Sequence, residues 1–175
     1  MAIRTILHYP DPRLREKAEP VAEVTPEIQK LVDDMAETMY AAPGCGLAAT
    51  QMGVNKRVFV IDTATEDEPS RLTVFINPTI VAREGETTWE EGCLSFPKVH
   101  EEIKRAERVT VRATDRNGKE FELTADGLLG VAIQHESDHL DGVLMIDHMG
   151  ALKKRMVQRK MQKRAAQQQD ESTAE

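Results

Sequence analysis

Only two cysteines, Cys45 and Cys93, occur in the 175 residues. They provide no disulfide framework. In a reducing compartment each reads as a metal ligand, a nucleophile or a small buried hydrophobe. No apolar run nears the roughly 20 residues that a membrane-spanning helix needs. The stretch from Met1 to Pro10 has no apolar secretory core followed by a cleavage site. These absences predict a cytoplasmic protein with no membrane partner. Internal repeats and linker-like segments are also missing. Hydrophobic residues at 40% and charged residues at 30% exclude a disordered chain, and the length suits one domain with its own core.

The net charge of −7 is unevenly spread. Residues 151–175 hold 7 Lys/Arg against 3 Asp/Glu, which leaves 16 against 27 in residues 1–150. An acidic body with a basic end points to an anionic partner for that end or to a plain solvated helix.

Local patterns predict the elements. Thr25-Pro26 opens a helix with an N-cap and a first-turn proline, and Ile28, Leu31, Val32, Met35 and Met39 share one face. That helix must end before Pro43. Gly44, Gly46 and Gly53 imply tight turns or close approach by another group. Strands are expected at Val58-Phe59-Val60-Ile61 and at Val74-Phe75-Ile76, the second stopped by Asn77-Pro78. Residues 63–71 read as a surface loop. Val109, Val111 and Ala113 alternate with polar residues, and residues 116–119 turn the chain into Glu120–Leu123 as a hairpin. A further helix is expected between an N-cap at Asp126 and a stop at Asp141-Gly142, and another from Ala151 to about Gln168. Strand runs without regular strand–helix alternation favour an α+β fold. Residues 1–150 then form one catalytic domain, 151–168 a basic helix packed on or extending from it, and 169–175 a flexible tail.

The chemistry concentrates in Gln134-His135-Glu136-Ser137-Asp138-His139. On a helix, residues four apart share a face, so His135 and His139 can turn both imidazoles toward one metal ion, with Glu136 beside it. A catalytic site of this type needs a third protein ligand. Cys93 follows Gly92, and a thiolate is a strong ligand for zinc or ferrous iron. Leu128, Val131 and Ala132 continue the histidine face as an apolar wall. His8 and His100 stand alone and read as structural or surface residues. Glu91 and Asp138 read as partners of a basic residue such as Arg105, or as groups that orient ligands.

Three segments together resemble the peptide deformylase family: Gly44-Cys45-Gly46-Leu47-Ala48-Ala49-Thr50-Gln51, Glu91-Gly92-Cys93-Leu94-Ser95, and Gln134 to His139. The likeness runs from about Ile6 through the C-terminal helix. It implies antiparallel sheets packed around a central helix that carries the His-Glu-x-x-His motif. It also implies one divalent metal held tetrahedrally by Cys93, His135, His139 and water. Ferrous iron is the implied ion, with zinc, nickel or cobalt able to substitute. Glu136 would move protons, while the Gln51 amide and the Leu94 N–H would hold an oxyanion. Gly46, Cys45, Trp89, Leu128, Val131 and Ala132 would bind the substrate, an N-formylmethionyl nascent peptide. The position of Cys45 is usually aliphatic in that family. The C-terminal helix resembles a segment that docks on the ribosome near its exit tunnel. Two other readings remain open from the residues alone. One is a metallopeptidase cutting internal peptide bonds, against which a thiolate ligand argues. The other is a non-enzymatic module with structural zinc, for which Cys45 is a possible fourth ligand.

Overall fold

The computed structural model describes residues 2–173, with side chains to Asp170. Helix α1 spans Pro26–Ala41, and its N-cap Thr25 accepts a hydrogen bond from the Ile28 N–H at 3.3 Å. Strands β1 (Gly46–Ala48), β2 (Val58–Ile61), β3 (Thr73–Glu84), β6 (Arg108–Thr114) and β7 (Glu120–Asp126) form one antiparallel sheet in the order β1-β2-β3-β6-β7. Strands β4 (Thr87–Cys93) and β5 (Phe96–Arg105) form a separate antiparallel pair. Helix α2 spans Gly127–Leu140 and α3 spans Ala151–Thr173. The fold is α+β, as the alternation pattern predicts.

Helices cover both faces of the larger sheet, which explains why β2 is a continuous apolar run. Val58 and Val60 face α1, where they meet Leu31, Val32, Met35 and Met39. Phe59 and Ile61 face the other way, into a cluster with Phe75, Val111, Ile133 of α2 and Leu140. Phe59 and Phe75 are cross-strand partners whose rings stack at 4.7 Å. The motif helix is therefore central: it packs on β1, β2, β6 and β7. Its exit turn uses Gly142 at φ +74, a left-handed conformation that glycine adopts without steric cost.

Two expectations are corrected. The strand at Val74 does not stop at Asn77-Pro78; β3 runs on to Glu84 through a register shift between Ile76 and Thr79. Asn77 sits in the bulge at φ +51. Its side chain accepts from the Val21 N–H at 2.7 Å and donates to the Val21 carbonyl at 2.8 Å. A bulge leaves a residue outside the ladder, so Pro78 forfeits no essential hydrogen bond. The last helix does not end at Gln168 but continues to Thr173, so the expected tail from 169 is helical that far. Residues 174 and 175 lie outside the described residues.

A third cluster joins the β4–β5 pair to α3. Val157 and Met161 are buried against Phe96, Val99, Ile103, Leu144, Met145 and Ile146. The basic helix is thus docked by one stripe. Arg155, Arg159 and Lys163 on its other sides are exposed.

Candidate metal centre and substrate cleft

The helical spacing of His135 and His139 places their Nε2 atoms 3.3 Å apart, and the Cys93 Sγ lies 3.4 Å from the His139 Nε2. Cys93 arrives from the end of β4, where the pairing with β5 shifts register after Gly92. One donor atom from each of the three residues falls within 4.8 Å of the others, a set that could hold a metal ion.

The surroundings fix how the donors point. Glu91 accepts two hydrogen bonds from Arg105, each 2.8 Å, and Arg105 also donates to Asp138 at 2.6 Å. Burial alone would raise the Glu91 carboxyl; Arg105 and then His135 outweigh it and hold the group below its ordinary range. An ionised carboxylate only accepts, so the His135 Nδ1, 2.9 Å away, is the donor and Nε2 is the nitrogen left to face the centre. Burial would lower His135, yet the Cys93 sulfur and Glu91 raise it well above the ordinary value, while burial and then His135 push His139 well below. Metal binding at such a set takes the place of a donor's proton. A thiolate with two imidazoles suits a borderline divalent transition metal.

Glu136 turns toward the same point, its Oε1 3.7 Å from the His135 Nε2. Its Oε2 is buried with no hydrogen-bond partner among the described residues. Burial pushes its carboxyl up to about 7, which suits a group that takes and returns a proton. Gly46 lies against it: a Cβ there would come within 3.1 Å of the Glu136 Cγ, so a larger residue would displace the carboxylate. The Gln51 Oε1 accepts from the Ala48 N–H at 2.9 Å. That bond orients the amide so that Nε2 faces the Ser95 Oγ at 3.1 Å and the Cys93 Sγ at 3.7 Å.

A cleft of about 610 Å³ opens over this centre. Cys45, Gly46, Gln51, Trp89, Cys93, Leu94, Leu128, Val131, Ala132, His135 and Glu136 all line it, so these residues expected at the site come together. His139 sits behind the others and is almost fully buried. Leu128 and Trp89 are partly exposed at the lining, whereas Val131 and Ala132 are buried. His8 and His100, read as isolated, line the cleft too, as do Lys98 and Arg164. Nothing in the local sequence marks these four, because packing between distant segments gathers them. His148 lies 2.8 Å from Asp138 and so joins the Arg105 network.

Fold and site define the class: an α+β hydrolase with a Cys/His/His donor set, its two histidines buried, and an adjacent carboxylate. The comparisons with known proteins narrow it. The polypeptide deformylase model matches residues 3–155. The chain is 55% identical to a peptide deformylase of Alkalilimnicola ehrlichii over 163 residues, covering 93% of this chain and 91% of that one. It is 56% identical to a peptide deformylase of Nitrosococcus oceani over 164 residues, covering 94% and 97%. The crystal structure of a peptide deformylase from Legionella pneumophila superposes with a TM-score of 0.89 at 47% identity, covering 95% of this chain and 98% of that one. The chain belongs to the polypeptide deformylase family. The internal peptidase and the structural-zinc module are thereby set aside.

Proposed function

We propose that the chain removes the formyl group from the N-terminal methionine of newly made polypeptides and releases formate. The observation that carries this reading is the convergence of Cys93, His135 and His139 beside the buried Glu136. The three donors would hold one divalent ion, ferrous iron in this reading, with zinc, nickel or cobalt able to substitute. When bound, such an ion supplies Lewis acidity and ionises water near neutral pH.

The chain's own groups account for the rest. Glu136 accepts a proton from the attacking water and returns it to the amine as the formamide C–N bond breaks. The Gln51 Nε2 and the Leu94 N–H face the formyl oxygen as it gains negative charge. Cys45, Trp89, Leu128, Val131 and Ala132 form the pocket for the methionine side chain. Strand β1 lies at the edge of its sheet, which supports a peptide adding there as a strand with hydrogen bonds to Gly46.

Residues 1–150 act as the catalytic domain, with the basic helix packed on it as a docking element. Arg155, Arg159 and Lys163, exposed on that helix, would contact ribosomal RNA phosphates near the exit tunnel, with strong salt dependence. Cytoplasmic residence belongs to the same reading. No described helix is long and apolar enough to cross a membrane.

The test is to offer N-formyl-Met-Ala beside an unblocked protein substrate. Formate from the first, with the second left intact, is expected; protein fragments without formate would overturn the proposal. Neutralising Arg155, Arg159 and Lys163 together should weaken ribosome co-sedimentation at low salt. Unchanged co-sedimentation would remove the docking role.

A further inference from the structure

Helix α3 does more than dock. Its Lys160 Nζ donates to the Lys98 carbonyl at 3.3 Å, and its Gln158 amide donates to the Tyr9 hydroxyl at 3.3 Å. Lys98 occupies the irregular part of β5 at φ +63. Arg164 follows Lys160 by four residues and so shares its face. These ties bring Arg164, Lys98 and His8 to the lining of the same cleft. The Arg164 Nε is buried and has no hydrogen-bond partner among the described residues. His8 is lowered first by burial and then by the Arg164 charge, and Arg164 and Lys98 are the Arg and Lys side chains on this lining.

The Arg164 side chain as a whole is only half-buried and lines the cleft, and no ion pair is formed with its guanidinium among the described residues. The guanidinium fork matches a carboxylate in shape and charge. Two of the cleft's own carboxylates are already committed: Glu91 to Arg105 and His135, and Glu136 to the centre. We propose that Arg164, with Lys98 on the same cleft lining, recognises an acidic side chain in the peptide segment that follows the substrate's methionine. This inference rests on the deformylase reading above and adds a preference to it. Arg164 contacts substrate far from the bond that breaks, so it sets specificity and takes no part in the chemistry.

The test uses the metal-loaded enzyme and formyl-Met tetrapeptides amidated at the C-terminus, so that a side chain is the only carboxylate. Asp and Asn are compared at each of the three positions after methionine. At one position kcat/KM should be about three- to fivefold higher for Asp, carried by KM, as a partly exposed ion pair provides. The advantage should shrink as salt is raised. Arg164→Lys should keep part of it, and Arg164→Glu should reverse it so that Lys is preferred over Asp at that position. A gain of new preference cannot come from misfolding. Equal rates for Asp and Asn at all three positions, or an unaltered ratio in Arg164→Glu, would overturn the inference. So would an advantage seen only with a free C-terminal carboxylate, which a nascent chain does not offer nearby. If no formylated peptide is turned over at all, the deformylase reading itself fails, and this inference with it.

Discussion

The Glu91 Oε1 lies 2.9 Å from the His135 Nδ1, and the same carboxylate receives both hydrogen bonds of the Arg105 fork. One buried side chain thus joins the hairpin that brings Cys93 to the helix that brings the histidines. It holds the His135 Nδ1 proton and keeps Nε2 aimed at the centre. Glu91→Gln should weaken metal binding about 10- to 100-fold, the usual consequence of losing a carboxylate behind a ligating histidine. Competition with a chelator measures this; unaltered retention would show that Glu91 only balances Arg105.

Glu136 is tested separately from the donors. Glu136→Gln should cut kcat by about 10²- to 10⁴-fold, the range for a lost general acid–base, with metal content retained. Elemental analysis beside turnover of a formylated peptide checks both halves. Cys93→Ser should instead lose metal and activity together.

Asp62 contributes to acid stability away from the centre. Burial works to raise its carboxyl, but hydrogen bonds from the Tyr40 hydroxyl, Ser70 hydroxyl, Ala64 N–H and Arg71 N–H outweigh burial and hold it at about 2. A carboxyl depressed in the folded state stabilises above its unfolded value of 3.8, and that contribution is lost as pH falls toward 2. Its size is about 2 kcal/mol. Asp62→Asn should lower stability near neutrality and flatten the decline between about pH 4 and pH 2. Urea unfolding at pH 7, 4 and 2.5 decides, and an unchanged slope would count against it.

Helix α3 should prove to be part of the fold. Met161 is 1% exposed within the cluster of Phe96, Val99 and Ile103. Met161→Ala should cost about 2–4 kcal/mol, as core truncations do. Neutralising the exposed Arg155, Arg159 and Lys163 should change stability by under about 0.5 kcal/mol. A Met161→Ala protein as stable as the wild type would mean that the helix only rests on the surface.

Much of the centre was legible along the chain. The two-histidine stripe follows from a period of 3.6 residues, and the α1 cap, the β6–β7 turn and the Gly142 stop follow from turn chemistry. The β4–β5 pair carried no such mark. Its register shift at Cys93 breaks the period of two, and β1 is only 3 residues long. Asn77-Pro78 read as a stop because a proline in a regular ladder loses a hydrogen bond, whereas here it sits in a bulge.

The sequence by itself determined the ligand types, the motif spacing, the family likeness and the α+β class. These rest on chemistry carried within single segments and on short-range geometry. Only the tertiary structure decided that Glu91 and Arg105 lie behind His135, that Glu136 lies against Gly46, and that Arg164 reaches a cleft with His8 and Lys98. Those neighbours are set by burying apolar faces of distant elements against one another, and hydrophobic burial has no direction along the chain.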